Sequence, residues 1–301
     1  MSERDVIRRI RKLFPRAGDD AAVVGTQVIA NDVLVENVDF TRDVPLRLIA
    51  RKSLTINLSD IAAMGGRPHY AIVAIGSPDE ALAATLIEEL AVAAREQDVE
   101  IIGGDLSRAA EIFISITIIG EAAQPILRSG ARRGDRIYLS RPIGGSAAGL
   151  TLLQRKTVGA SYAEREFIES AIRRHLEPEA EVALGLKLVG IATSCIDVSD
   201  GLSTDLHHLC DASSVGAAIE RERIPVFPDL QRSGPQLGIN VRDAVLHGGE
   251  EYALLFTSSM RESELSSRVG RPVYAIGRIV EERGVRLDGE PLAPGGFDHF
   301  A

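Results

Sequence analysis

Cysteine and aromatic residues are scarce in this chain, and their scarcity excludes several classes of protein. Only Cys195 and Cys210 are cysteines among 301 residues, too few for a disulfide framework, and the chain lacks the Cys/His pairs of a zinc site. We expect both to be buried free thiols. Aromatic residues make up 4% of the chain and tryptophan is absent, so stacked platforms for nucleic-acid bases are not expected.

Positive charge and long apolar runs are also in short supply. The 34 Lys and Arg residues are outnumbered by 43 Asp and Glu, for a net charge of −9, which disfavours nucleic acid and anionic lipid as partners. The longest apolar run, Ile112–Ile119, falls well short of the roughly 20 residues that span a bilayer. The charged N-terminus is not followed by the apolar stretch of a secretory signal. We therefore expect a cytoplasmic location and no membrane partner.

The remaining composition, 45% hydrophobic and 26% charged, is that of a globular protein, and the length suggests two domains. Pro125 and a cluster of arginines at positions 128, 132, 133 and 136 mark the boundary. We predict an N-terminal domain over residues 1–126 and a C-terminal α/β domain over residues 127–301.

Hydrophobic periodicity and turn signals predict a mixed α/β (α+β) fold. In the first half we expect a hairpin over 23–40 turning near Gly25, helices over 46–64 and 78–97, and strands over 70–76, 99–102 and 111–120, with Ser77 capping the second helix and a loop at 103–108. In the second half we expect helices near 146–155, 161–176, 179–189 and 202–212, strands near 194–198, 216–221, 252–257 and 273–280, and a hairpin turning at 288–289.

Aspartates, rather than a familiar nucleotide motif, carry the chemistry of this sequence. There is no P-loop, no G-x-G-x-x-G after a strand and no kinase H-R-D set. Instead, aspartates end predicted strands or flank glycines: Asp19, Asp20, Asp32, Asp60, Asp105, Asp197 and Asp200. Each alone suits a turn or helix cap. Together at the strand ends of an α/β protein they would repel one another without a cation, and magnesium fits their hard oxygen ligands better than calcium does.

Several basic and glycine-rich segments are candidates for holding an anion. Arg128 is suited to clamp a phosphate, whereas Arg132, Arg133 and Arg136 read more readily as a solvated linker face. The pair Gly103-Gly104 would let backbone N–H groups approach an anionic ligand, or form a plain tight turn. The loop at 247–252, with two glycines ahead of paired acids, suits ligand contact or an ordinary turn.

Seven short segments, in order along the chain, resemble one family. They are Gly18-Asp19-Asp20-Ala21-Ala22, residues 57–66 (NLSDIAAMGG), Ile102-Gly103-Gly104-Asp105, Arg128-Ser129-Gly130-Ala131, residues 196–202 (IDVSDGL), Gly248-Gly249-Glu250-Glu251-Tyr252 and Gly296-Phe297-Asp298-His299-Phe300. This set resembles thiamine-monophosphate kinase, in the superfamily of aminoimidazole ribonucleotide synthetase. Two of the segments, residues 196–202 and residues 296–300, distinguish this family from selenophosphate synthetase and the hydrogenase-maturation carbamoyl dehydratase.

The resemblance implies a homodimer in which N-terminal βα domains, the ATP- and magnesium-binding halves, form a central barrel. It implies that ATP and thiamine monophosphate give ADP and thiamine diphosphate. Because the acceptor phosphate, with a second pKa of about 6, is already a dianion near neutral pH, we expect direct in-line transfer without a general base. The resemblance further implies magnesium ligands Asp19, Asp32, Asp60, Asp105, Asp197 and Asp200, ATP contacts Gly104, Asp105, Arg128 and Ser199, and substrate contacts Glu250 and Phe297. Asp39 is a further candidate for substrate contact, as a carboxylate that either attracts the cationic thiazolium ring or is solvated.

The sequence departs from the family pattern at two places near the predicted hairpin. Ala30-Asn31 stands where the family has Ser-Thr, and Asp39 stands where it has a histidine. This departure keeps open another ATP-using member of the superfamily with a different small substrate. A magnesium-nucleotide binding regulator without turnover is the alternative from another class.

Overall fold

The computed structural model describes residues 3–14, 16–155 and 162–299 and contains two β-sheets. The first half runs α1 (Glu3–Leu13), β1 (Ala22–Val24), β2 (Gln27–Val35), α2 (Leu46–Ala63), β3 (Arg67–Ser77), α3 (Glu80–Glu96), β4 (Glu100–Arg108) and β5 (Phe113–Glu121). Its strands form a five-stranded sheet in the order β1-β2-β5-β3-β4. Only the β3–β4 pair is parallel, because α3 connects those strands as a crossover.

The second half builds a seven-stranded sheet with helices packed on it. Its elements are β6 (Arg136–Leu139), α4 (Gly145–Arg155), α5 (Tyr162–Leu176), α6 (Val182–Leu188), β7 (Ser194–Asp197), α7 (Leu202–Ser213), β8 (Gly216–Ile219), a 3₁₀ turn (Arg221–Arg223), α8 (Leu230–Ser233), α9 (Val241–Leu246), β9 (Leu254–Ser258), α10 (Glu262–Val269), β10 (Tyr274–Val280), β11 (Gly284–Leu287) and β12 (Glu290–Pro291). The strand order is β12-β11-β8-β10-β6-β9-β7.

Helix α2 lies between the two sheets and joins their cores. Leu54 and Leu58 pack in the core of the first sheet, whereas Ala62 and Ala63 pack with Phe256 of the second. Because both flanks are covered, almost every α2 side chain is buried, polar ones included. The last turns of α2 are therefore a fixed platform at the junction of the two halves.

The predicted mixed α/β class is confirmed, and most predicted elements occur within a few residues of their expected ends. Helix α1, strand β6, the short helices α8 and α9, and helix α10 were not predicted. Both cysteines are free and buried, as expected. Within the described residues, no helix has the length and apolarity to cross a membrane.

Two local predictions were wrong. Ser77 ends β3 and does not cap α3: Asp79 is the cap, and its side chain accepts the N–H of Leu82 at 2.9 Å. The expected loop at 103–108 is the second half of strand β4, which pairs with β3 through Ser107 and Arg108. Gly104 is required there by packing, because a Cβ would lie 1.9 Å from the Val73 carbonyl oxygen.

Candidate active site

Three motif segments converge beyond the end of β7. The loop at 197–201 receives the loop at 247–252 on one side, where the Glu250 N–H donates to Ser199 O at 2.7 Å. On the other side the Phe297 N–H donates to Asp200 O at 3.1 Å. A Cβ on Gly296 would lie 2.2 Å from that same Asp200 oxygen, so the close approach of the C-terminal segment requires glycine.

A buried acidic cluster lies where this region meets α2. Carboxylate oxygens of Asp20, Asp60 and Asp197 all lie within 4.8 Å of one another. Asp20 comes from the segment before β1, Asp60 from the last turns of α2 and Asp197 from the end of β7. The Ser59 hydroxyl donates to Asp197 Oδ2 at 2.5 Å. The fold thus brings three carboxylates from distant parts of the chain into one place.

Three carboxylates of this region, those of Asp32, Asp60 and Asp197, have raised pKa values. Burial, together with the nearby Asp20 charge, raises the pKa of Asp197 to about 8. Burial followed by repulsion from Asp32 and Asp197 raises the pKa of Asp60 well above its usual value. Asp32 hydrogen-bonds Asp60, and burial raises the pKa of Asp32 as well. A divalent cation would relieve both the desolvation and the repulsion that hold these protons.

Arg128 places a cation beside the acidic cluster. Its guanidinium contacts both carboxylate oxygens of Asp20, with Nη2–Oδ1 at 3.0 Å and Nε–Oδ2 at 3.2 Å. Its backbone N–H donates to Asp19 Oδ1 at 2.8 Å. Asp19 therefore holds the backbone at Arg128 by a hydrogen bond, while the adjacent Asp20 belongs to the cluster.

A second group of potential ligands follows directly along the chain. Asp200, Asp205 and His208 place ligand atoms within 4.8 Å of one another. Asp205 Oδ2 accepts the N–H groups of Asp200 (3.2 Å) and Gly201 (3.0 Å), which fixes the loop at the start of α7. Burial and the Asp200 charge raise the pKa of Asp205 well above its usual value.

Glu250, predicted to contact substrate, is held by a buried lysine. Lys52 Nζ lies 2.5 Å from Glu250 Oε1, and its side chain is 5% exposed against 28% for Glu250. The contact is an ion pair, and Lys52 Nζ has no hydrogen-bond partner among the described residues. His175 Nδ1 lies 3.3 Å from Glu250 Oε2, and burial, aided by the Lys52 charge, lowers the pKa of His175 to about 4.

The other two predicted substrate contacts lie at this end of the region. Asp39 is half-buried and accepts the Val35 N–H at 2.7 Å, and burial, with the Glu250 charge among the lesser causes, raises its pKa. Phe297 is 53% exposed and meets the His299 ring edge-on at 4.8 Å.

The neighbouring Glu251 has a structural role. Its Oε1 accepts the N–H groups of Gly144 (2.8 Å) and Ser146 (2.9 Å) at the start of α4, and its Oε2 lies 3.4 Å from Arg174 Nε. A buried carboxylate that satisfies free N–H groups at a helix N-terminus stabilises that helix.

Gly104 and Asp105 lie apart from the acidic cluster. They belong to β4, whose residues are exposed along its whole length, and they line a groove of about 480 Å³ with Val73, Leu90 and Leu106. Among the described residues, no ion pair or hydrogen bond links Asp105 to the cluster. Within one chain, therefore, the fold gathers Asp20, Asp32, Asp60 and Asp197 but leaves Asp105 on a sheet edge.

Sequence reasoning gave no site role to Asp205 and Lys52, and it named Asp20 among the motif aspartates without placing it at the metal. The signal for Asp20 was its position beside Asp19 in the same motif. Asp205 had a weaker one, as an acid in the first turn of a predicted helix. Lys52 had none, because it lies off the apolar face of α2 and its partner is brought in only by the tertiary fold.

Known proteins resemble this chain over nearly its full length. The family models for AIR synthase related protein match residues 18–122 (N-terminal domain) and 132–290 (C-terminal domain). The thiamine-monophosphate kinase of Aquifex aeolicus (strain VF5) is 32% identical over 292 residues, 94% of this chain and 92% of that protein. The enzyme of that name from Escherichia coli (strain K12) is 34% identical over 303 residues, 94% of this chain and 91% of its own.

Solved structures give the same picture. A structure described as AaThiL complexed with AMPPCP and TMP superposes with a TM-score of 0.90 at 31% identity, covering 99% of this chain and 97% of that one. The hydrogenase maturation protein HypE matches with a TM-score of 0.67 at 19% identity over 87% of this chain and 83% of its own. That second likeness concerns the fold alone.

Proposed function

We propose that this chain, which belongs to the AIR synthase related proteins and within them to the thiamine-monophosphate kinases, transfers the terminal phosphoryl group of ATP to thiamine monophosphate. The products are ADP and thiamine diphosphate. The observation that carries the proposal is the buried Asp20–Asp60–Asp197 cluster, in a chain that matches along 99% of its length a protein complexed with AMPPCP and TMP. A site for joining two polyanions needs such a cluster.

The residues of the cluster fit magnesium. Their donors are hard carboxylate oxygens within reach of one ion. Burial raises the pKa of Asp60 and Asp197, and a bound cation would oppose that shift. We propose that Mg²⁺ is held by Asp20, Asp32, Asp60 and Asp197, with Asp200 and Asp205 as a neighbouring set. Bound there, Mg²⁺ would neutralise part of the negative charge of the substrate phosphates.

The chain itself supplies position and charge, and no general base is needed. The acceptor is a phosphate monoester with a second pKa of about 6, so it is already a dianion near neutral pH. The obstacle is repulsion between anions, about 4 kcal/mol per pair of unit charges 4 Å apart at an effective dielectric constant near 20. Arg128, fixed by Asp20, and the loop around Ser199 would hold ATP in line with the acceptor. The transfer is direct, without a phosphoenzyme.

The cationic thiazolium end of the acceptor suits the opposite side of the region. Asp39 offers a half-buried carboxylate and Phe297 an exposed aromatic face. Glu250 adds negative charge, but Lys52 neutralises much of it. We therefore assign Asp39 the larger share of attraction for that cation.

We also propose a homodimer built through strand β4. Its outer edge is unpaired among the described strands, and it exposes Ile101, Ile102 and Leu106. A long exposed apolar edge favours pairing with another strand. A second copy paired there would place Asp105 and Gly104 at the subunit junction, in reach of the ATP site of a neighbour.

The domain boundary and the cellular location remain predictions. We place the domain boundary at residues 126 and 127, supported by the family matches, which end at 122 and resume at 132. The cytoplasmic location stays a prediction from the sequence.

The decisive assay follows ADP formation with purified protein, ATP and Mg²⁺, offering either thiamine monophosphate or unphosphorylated thiamine. We expect turnover only with the monophosphate. ATP binding without ADP release for any phosphorylated acceptor would favour the regulator instead, and turnover with another acceptor alone would favour a different member of the superfamily. Asp105→Asn should depress turnover severely with the fold intact, because Asp105 is exposed on β4; near-normal turnover would remove it from the site.

A further inference from the structure

A cavity of about 520 Å³ lies over the seven-stranded sheet and shares no lining residue with the candidate active site. Its walls are the 3₁₀ turn and the first turns of α10, and its floor is formed by Ala275 and Gly277 of β10. Four arginines line it: Arg136, Arg223, Arg261 and Arg278. Small floor residues leave the space open, and the arginine side chains supply its chemistry.

Two of these arginines face each other across neighbouring strands. Arg278 of β10 is the direct register partner of Arg136 of β6. Like charges directly opposite in an antiparallel pair destabilise the sheet. The arrangement is unfavourable to folding, and an anion between the two guanidinium groups would offset it.

The protein leaves most of this positive charge unpaired. Among the described residues, Arg136 donates to the carbonyl oxygens of Ser259 and Met260 and to no carboxylate. Arg223 is paired with Glu220 at 3.0 Å. Within the part of the chain that the structure describes, the side chains of Arg261 and Arg278 have neither an ion pair nor a hydrogen bond.

The two carboxylates of the cavity do not balance these groups. Glu220 pairs with Arg223, and Glu262 keeps its charge while its Oε2 accepts the Ala275 N–H at 3.3 Å, so two carboxylates face four arginines. The cavity is thus a positive site on a chain whose net charge is −9. Ser263 and Ser266 add hydroxyl groups at the start of α10, whose cap position makes no side-chain hydrogen bond.

We propose that this cavity binds a diphosphate group. Planar guanidinium groups match phosphate oxygens in paired hydrogen bonds, and arginines from β6, β10 and the start of α10 surround a space larger than one phosphate needs. The volume lies in the range of small-molecule sites, but the cavity offers no aromatic side chain for a ring. Free pyrophosphate and the diphosphate end of a larger ester share the required chemistry.

Calorimetric titration with inorganic pyrophosphate tests the proposal independently of enzyme activity. EDTA in the buffer removes divalent cations, so the acidic cluster repels the anion and does not bind it. We expect saturable binding at low ionic strength, weakened at least tenfold in Arg261→Gln/Arg278→Gln. The matched control, Arg133→Gln/Arg286→Gln, also removes two charges, but from exposed arginines paired with Glu281 and Glu282, and should bind as the parent does.

Further titrations separate the sources of the ligand. Binding of ADP or thiamine diphosphate by the same arginines would identify an ester as the ligand, and binding of pyrophosphate alone would identify the free anion.

A thermal melt without anion adds a check. Arg278→Gln relieves the contact with Arg136, so this variant should melt no lower than the parent. Absence of pyrophosphate binding, or equal binding by the parent and Arg261→Gln/Arg278→Gln, would overturn the proposal.

Discussion

Replacing Lys52 by methionine tests how the buried ion pair holds the Glu250 loop. Breaking a buried pair by removing one partner costs about 3–5 kcal/mol. Glu250 keeps 28% of its side chain exposed, so water recovers part of the loss, and we expect a decrease of about 2–3 kcal/mol in the free energy of unfolding at pH 7.5. Methionine fills similar space, so little of this decrease comes from a cavity.

The loss of stability caused by Lys52→Met should be smaller at lower pH because of His175. Burial and the Lys52 charge hold the His175 pKa at about 4, below its usual 6.5. A depressed histidine pKa means that the native state binds the proton less well than the unfolded chain, so the parent loses stability as pH falls below 6.5, by up to about 2 kcal/mol at pH 5. Without Lys52 the His175 pKa rises, and imidazolium can pair with Glu250.

Urea unfolding of the parent and Lys52→Met at pH 7.5 and 5.0 measures both effects. Arg51→Met is the matched control, since the adjacent Arg51 pairs with Glu96 at 3.2 Å but both side chains are largely exposed, 40% and 51%; it should change stability by less than about 1 kcal/mol. The reasoning is wrong if Lys52→Met lowers the free energy of unfolding no more than Arg51→Met does at pH 7.5. It is also wrong if the difference in free energy of unfolding between the parent and Lys52→Met is larger at pH 5.0 than at pH 7.5.

Three further outcomes are expected. Because burial raises the Asp197 pKa to about 8, a cation must displace a proton there, so Mg²⁺ should raise the melting temperature more at pH 8.5 than at pH 6.5; equal shifts would argue against this site. Asp39→Ala should raise the KM for thiamine monophosphate several-fold with kcat little changed, whereas an unchanged KM would make Asp39 a solvated residue. Leu106→Lys should convert a dimer to a monomer in light scattering, and an unaltered mass would exclude pairing through β4.

Local patterns predicted elements whose stability is local. The hairpin turn at Gly25 and the end of α2 near Gly65 follow from backbone preferences that the residues carry with them. The second half of β4 was missed because Gly103-Gly104 reads as a turn signal. Gly104 instead allows close packing against Val73. That requirement arises only once β3 and β4 pair.

The candidate site divides in the same way. The motif aspartates could be found because so many of them end predicted strands or flank glycines: each alone suits a turn or helix cap, but together they indicate a cation site. The sequence does not show which of Asp19 and Asp20 enters the cluster. In the folded chain the backbone N–H of Arg128 holds Asp19, and its guanidinium holds Asp20. Lys52 could not be found at all, because nothing near it in sequence shows that Glu250 will cover it.

The most direct test of the central claim is whether the buried carboxylates bind divalent cations. Electron paramagnetic resonance titration with Mn²⁺ and AMPPCP counts the ions bound by the parent, by Asp60→Asn and by Asp79→Asn, whose carboxylate only caps α3. The account predicts saturable Mn²⁺ binding that Asp60→Asn weakens at least tenfold and Asp79→Asn leaves unchanged. Equal Mn²⁺ binding by all three proteins would contradict it.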